Sequence, residues 1–574
     1  MQKSKRTLCL GLLTIPAALF LGCSIHTYLA NRSFVNFTDQ MFVSEISQNT
    51  LNLHYTLSNP EALGITDYPV TLGSADAASA ASSGAVIENY QNKLDGICRH
   101  CLSDDNQLTY DILTSYLETQ EMGQDYYLYE EPLGPTIGTQ AQLPVLLAEY
   151  TFRREQDVTD YLGLLNQMDT YYASILDFEQ AKAEAGLFMS DSTAEAVIAQ
   201  CRSFIAEPEE NFLLELFDEQ IASLDFLSAK QKEAYRQANR EAVQNHVIPA
   251  YQLLIQGLTE LKGQGSNEKG LCYLPSGKSY YEYLVRRTTG SEDSVAAIAK
   301  RIQQQLESDY TELRDLVKSN PSLLTSSPSA DLTLQDPTQM LYDLEEKISE
   351  DFPSPPDVSF QVKYVHSSLE DFLSPAFYLT PPIDSLSQNV IYINSGSSYT
   401  PLELYTTLAH EGYPGHLYQT VYSGSVPTNK VRSLLDFGGY VEGWATYVEM
   451  YAYSMADTEA GTADLYRLNR SIMLGISSLL DIAIHYYGYS RADTAAYLVQ
   501  LGFSDTSSAD AIYDTILEAP ANYLKYYVGY LNFLDLREAC KKQQGDRFSL
   551  KEFHQEILET GPAPFSVLEE RLGV

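Results

Sequence analysis

The chain has 574 residues, enough for a large buried core, and its 44% hydrophobic and 20% charged residues exclude a disordered or fibrous protein. Against 76 acidic residues stand 37 basic ones, a formal charge of −39 that speaks against nucleic acid as a partner and fits a solubilising acidic surface.

Lys3, Lys5 and Arg6 precede the mostly apolar run from Thr7 to Gly22, which is short for a bilayer-spanning helix and has the length of a signal-peptide core. The run ends in Leu19-Phe20-Leu21-Gly22-Cys23, which resembles a bacterial lipobox. Residues 1–22 are therefore expected to be a signal peptide and Cys23 the lipidated first residue of a tether over 23–34. That arrangement gives an exported protein held at the cell membrane, facing outside the cytoplasm. Phe20 and Leu21 depart from the usual lipobox residues, so plain cleavage or an uncleaved anchor stays open.

The Ala- and Ser-rich stretch from Ser74 to Gly84 reads as a loop. Beyond the leader the cysteines are Cys98, Cys101, Cys201, Cys272 and Cys540, an odd and widely spaced set that is no disulfide framework. Cys98 and Cys101 lack a second CxxC to complete a metal site, leaving a local disulfide or buried thiols. Thr193–Phe217, Ala229–Leu261, Ser294–Lys318 and Ala539–Leu558 carry apolar residues at three- and four-residue spacing, which predicts a mainly α-helical fold. Asn320 to Pro337 reads as a second loop. Strand character appears where Phe360, Val362 and Tyr364 alternate, then at Ala376–Leu379 and Asn389–Asn394, which predicts a small sheet.

Thr400-Pro401-Leu402-Glu403 joins a threonine cap, proline at the first helical position and glutamate placed to close a capping box. The helix it starts runs into His410-Glu411-Gly412-Tyr413-Pro414-Gly415-His416. In the zinc-protease pattern HExxH the histidines stand four apart, so both reach one metal while the intervening glutamate reaches its water. Here the second histidine is at i+6, about 240° round an undistorted helix. Pro414 removes a backbone donor and Gly415 frees the chain to turn, so a helix broken there can return His416 to the metal. With 9 histidines in 574 residues, chance is a poor source of the pattern. Catalytic zinc wants three protein ligands and an open position. Glu442 is the third ligand chosen, and Glu449, seven residues on, shares its helical face and can orient a histidine.

These motifs, HExxPGH followed by Glu442-Gly443-Trp444-Ala445-Thr446-Tyr447-Val448-Glu449, resemble the bacterial domain-of-unknown-function family 885, with its zinc-metallopeptidase-like signature. The resemblance extends to Leu51–Thr56, Leu143-Pro144, Leu274–Gly277, Asp481 with His485, then Pro520, Tyr526, Gly529, Arg537 and His554. Ala521 and Asn522 replace the usual Gly-Gln, and Tyr489 stands where the family prefers Trp. The resemblance implies a distant likeness to the clam-shaped, helical gluzincins: a deep cleft between two lobes, approximately 35–265 and 266–574, with the sheet as a cleft wall whose edge can pair with an extended peptide. It implies zinc-dependent hydrolysis of peptides with Glu411 as general base, Tyr526 donating to the oxyanion, Arg537 binding a substrate carboxylate and His554 near the site. Two other readings stay open, a non-catalytic peptide- or metal-binding surface lipoprotein and a zinc hydrolase of another amide or ester.

Overall fold

The computed structural model describes residues 26–574 except 266, 326–329, 367–369, 371–372 and 504–505. The expected signal peptide and Cys23 lie outside the described residues. A helix over 26–46 takes up most of the expected tether, and Phe34 on it is fully buried. Among the described residues no helix is long and apolar enough to cross a membrane.

The helical periodicity is realised through most of the chain, giving the expected mainly α fold. Ala229–Ala242 and Ile248–Leu261 form one run through a π turn at Val243–Val247, just where Pro249 cannot donate a backbone bond. Thr193–Phe217 is instead two helices, Asp191–Phe204 and Phe212–Ser223, parted at Pro208, with the Asn211 side chain capping the second. The stretch read as a loop at Ser74–Gly84 lies largely in a helix, Ala77–Asp95. Asp76 caps it by accepting the Ser79 N–H at 2.7 Å, and the alanines' helix propensity outweighs the serines. Cys98 and Cys101 pair with each other.

Three strands form the sheet: β1 (Ser359–Tyr364), β2 (Ala376–Leu379) and β3 (Gln388–Ile393), ordered β1-β3-β2, with β1 parallel and β2 antiparallel to β3. After it come the helices that position the site: α1 (Pro401–Glu411), α2 (His416–Ser425), α3 (Gly438–Ala452), α4 (Thr462–Ile482), α5 (Asn522–Gln544) and α6 (Leu550–Thr560). One large apolar core gathers α1 to α6 together with Phe34, Ile112 and Leu117 from the beginning of the chain. A second is built mostly from residues between Leu51 and Leu258 and takes Val365 and Tyr392 from the sheet region. The two cores therefore do not divide the chain at a single point. The division into lobes 35–265 and 266–574 remains a proposal.

Candidate metal centre

Helix α1 begins as its sequence dictates. Thr400 Oγ1 accepts the Glu403 N–H at 3.3 Å, Glu403 Oε2 accepts the Thr400 N–H at 2.9 Å, and Pro401 stands at the first helical position. It ends at Glu411, and α2 restarts at His416 after a cis Tyr413–Pro414 peptide. Glycine is required at 415, because a Cβ there would lie 1.8 Å from the His410 carbonyl oxygen. Buried Trp444 Nε1 donates to the Pro414 carbonyl at 2.9 Å, fastening the break to α3.

The break brings the two imidazoles together, with ring centroids 4.8 Å apart. Glu442 Oε2 on α3 lies 3.6 Å from His410 Nε2 and 3.4 Å from His416 Nε2. Both separations are long for hydrogen bonds. They match the edge of a zinc tetrahedron, about 3.3–3.4 Å for metal–ligand distances of about 2.0–2.1 Å. Ligand atoms of His410, Glu411 and His416 also lie within 4.8 Å of one another, so this cluster can hold a metal ion. Two neutral imidazoles and one or two carboxylates are donors that suit zinc.

The surroundings set the state of each donor. His410 Nδ1 donates to Glu449 Oε2 at 3.1 Å, leaving Nε2 with its lone pair toward Glu442 and His416. Burial would lower the His410 pKa, but the carboxylates of Glu442 and Glu449 beside its two ring nitrogens outweigh it and push it up to about 10 without a metal. Glu449 would itself be raised by burial. Arg470 on α4, which donates to Glu449 Oε1 at 2.7 Å, and His410 bring it down to about 2. Burial likewise opposes ionisation of Glu442, and His410, His416 and Lys525 hold it well below its ordinary range. Glu411 is raised by burial against the charges of His416 and His410, and its Oε2 accepts the Tyr378 N–H from the edge of β2 at 2.8 Å. A buried carboxylate with a raised pKa beside a metal position has the properties of a proton acceptor.

Tyr526 on α5 joins this group: its ring lies 6.4 Å from that of His410, and burial together with the charge of Glu442 raises its phenol. Helices α3 and α5 cross backbone to backbone, since a Cβ on Gly443 would meet Gly529 at 2.5 Å and one on Gly529 would meet the Gly439 carbonyl at 2.1 Å. That crossing puts Lys525 Nζ 3.6 Å from Glu442 Oε1.

Arg537 and His554 are not brought to the cluster. Arg537 is eleven residues beyond Tyr526 on α5, about 16 Å along the axis, and donates to the Tyr447 hydroxyl at 3.3 Å. His554 is fully buried. Its Nδ1 donates to the Asp351 carbonyl at 2.7 Å, its Nε2 accepts from Tyr447 at 2.9 Å, and its ring stacks on Phe352. Both residues converge on Tyr447. His485 is similarly engaged, by the Leu271 N–H and the Ile516 carbonyl.

Sequence reasoning missed Tyr378, Tyr399, Arg470 and Lys525. Tyr399 has a buried hydroxyl without a partner among the described residues, and burial and the charge of Glu411 push its pKa up to about 12. Lys525 adjoins Tyr526 and was within reach of the sequence argument; the other three carried no motif.

A family model described as bacterial protein of unknown function (DUF885) matches residues 60–572. No curated protein matches the chain significantly. Among solved structures, a candidate lipoprotein from Colwellia psychrerythraea is similar at 21% identity, with a TM-score of 0.82 over 95% of this chain and 98% of that one. A candidate lipoprotein of unknown function from Shewanella oneidensis is similar at 18% identity, with a TM-score of 0.64 over 94% and 99%. At these identities the likeness concerns the fold.

Proposed function

The chain belongs to the bacterial DUF885 family, and from that premise we propose that it is an exported, lipid-anchored zinc metallopeptidase acting on peptides outside the cytoplasm. The observation that carries the reading is the convergence of four donors: Glu442 Oε2 lies 3.4 and 3.6 Å from the ring nitrogens of His416 and His410, and the Glu411 carboxylate lies within 4.8 Å of both histidines while accepting the Tyr378 N–H. His410, His416 and Glu442 would hold the ion. When bound, zinc supplies Lewis-acid polarisation of water and of a carbonyl. Glu411 takes the proton of the attacking water on its carboxylate and returns it to the leaving amine. Tyr526 donates a hydrogen bond to the oxygen on which negative charge develops. The Tyr378 N–H points off β2 toward Glu411, so the strand edge faces the reacting centre and can align an extended peptide backbone. The lipoprotein-like leader ending at Cys23 supports attachment to the membrane.

Glu411→Gln tests the reading. Glutamine keeps an oxygen for the Tyr378 N–H but cannot act as a base. The variant is expected to keep about one zinc per chain while hydrolysis of a mixed peptide library falls roughly 10²–10⁴-fold. Loss of zinc would make Glu411 a ligand, and unchanged hydrolysis would remove it from the mechanism. An ester or non-peptide amide cleaved in preference to every peptide would shift the substrate class and leave the metal chemistry in place.

A further inference from the structure

A cavity of about 500 Å³ is walled in part by the elements that carry the candidate metal cluster and is lined among others by Thr380, Gln419, Thr420, Ser423, Arg432 and Val441. It adjoins the cluster through three elements: Val441 precedes Glu442, Gln419 follows His416 by three residues, and Thr380 follows Tyr378 by two. Two of its wall residues hold buried donors with no acceptor among the described residues, Arg432 Nε and Gln419 Nε2. Arg432 Nη2 donates to the Thr560 carbonyl at the end of α6, and among the described residues no carboxylate forms an ion pair with it. Burial pushes its pKa down to about 10. The other charged lining groups are Lys430, Asp436 and Glu559. Lys430 pairs with Asp39 at 3.9 Å, Glu559 is half-buried and accepts from Gln555 at 2.6 Å, and Asp436 is exposed to solvent.

A buried guanidinium without a counter-charge is costly, and a second unfilled donor in the same wall repeats the demand. A carboxylate answers both, because its two oxygens accept from a guanidinium and an amide at once. We propose that this cavity recognises a carboxylate of the substrate, through Arg432 and Gln419, so that the preferred peptides carry a free C-terminus or an acidic side chain near the bond cleaved. The inference rests on the peptidase reading for its orientation. Ser423, which like Arg432 Nη2 borders Gly561 and lines the cavity, is seven residues from His416 on α2. That is about 10 Å along the axis, or about three residues of extended peptide at roughly 3.3 Å each. An arginine that merely capped α6 through Thr560 would make no distinction between a carboxylate and its amide.

Calorimetric binding to the full zinc-loaded chain carrying Glu411→Gln separates these cases. The probes are acetyl-trialanine as free acid and as amide, and a doubly capped tripeptide with glutamate or glutamine at its centre. One acid is expected to bind about ten- to a hundredfold tighter than its neutral twin: the free acid if the terminus is recognised, the glutamate peptide if a side chain is. Arg432→Gln should abolish that difference and Arg432→Lys should retain part of it. The acid–amide comparison in the otherwise unchanged chain needs no Arg432 variant, so an unfolded variant leaves it decisive. Equal binding within both pairs overturns the proposal, as does a preference that survives in folded Arg432→Gln. With Glu411 intact, cleavage of these peptides without carboxylate preference would sustain the peptidase and refute the pocket. Carboxylate-selective binding that depends on Arg432, with no peptide cleaved, would sustain the pocket and refute the peptidase.

Discussion

Replacing Gly443 by alanine probes the crossing on which the site is assembled. The new Cβ would lie 2.5 Å from both Cα and the carbonyl carbon of Gly529, whereas ordinary contact begins at 3.4 Å, so α3 and α5 must separate by about 1 Å. Overpacking of this kind costs about 1–3 kcal/mol of unfolding free energy. Helix α3 is tied to the segment around the α1–α2 break by Glu449 on His410 at 3.1 Å and Trp444 on Pro414 at 2.9 Å, so α5 is the element that yields, taking Tyr526 and Lys525 with it. Zinc content should therefore stay near wild type while peptide turnover falls by up to about 10²-fold, the scale associated with a 1 Å misplacement. Chemical denaturation, elemental analysis and peptide hydrolysis on one preparation read all three quantities. Wild-type stability together with wild-type turnover would refute the backbone-to-backbone crossing. Zinc loss with Tyr526 still functional would show that α3 moves instead.

Three further outcomes are expected. Glu449→Gln removes the charge that fixes His410 through Nδ1, so zinc affinity, read by competition with a chelator, should weaken about 10–100-fold; unchanged affinity would deny Glu449 that role. His554 is buried with its pKa lowered to about 3, mainly by desolvation. Its neutral form stabilises the fold fully above the ordinary value of 6.5, and that stability is lost as pH falls toward 3. The stability gap between wild type and His554→Gln should accordingly narrow between pH 7 and pH 4, and a constant gap would contradict it. Cys23→Ser should move the protein from the membrane fraction to a soluble or unprocessed form, whereas unaltered fractionation and processing would count against the lipid anchor.

The sequence by itself determined what is local. Apolar spacing marked most helices, alternation located the three strands, and the Thr400–Glu403 box marked the start of α1, because backbone periodicity and capping act within a few residues. It also singled out His410, Glu411, His416 and Glu442, which the fold brings together, since the types that can ligate a metal are few and Pro414 and Gly415 announce the break between the histidines. The loop read at Ser74–Gly84 failed even locally, because serine and glycine content masked a capped, alanine-rich helix. Tertiary structure alone decided which groups surround the cluster. Tyr378 meets Glu411 across 33 positions and Arg470 meets Glu449 across 21. Both contacts exist only once β2, α1, α3 and α4 have packed. It also decided the direction of side chains that a motif marks by position alone. Arg537 and His554 occupy the expected places in the chain, yet both converge on Tyr447, away from His410, because three turns of α5 and the burial of α6 set where they point. A pattern along one chain fixes spacing. Direction depends on which faces the helices bury against one another, and that is settled by contacts far apart in sequence.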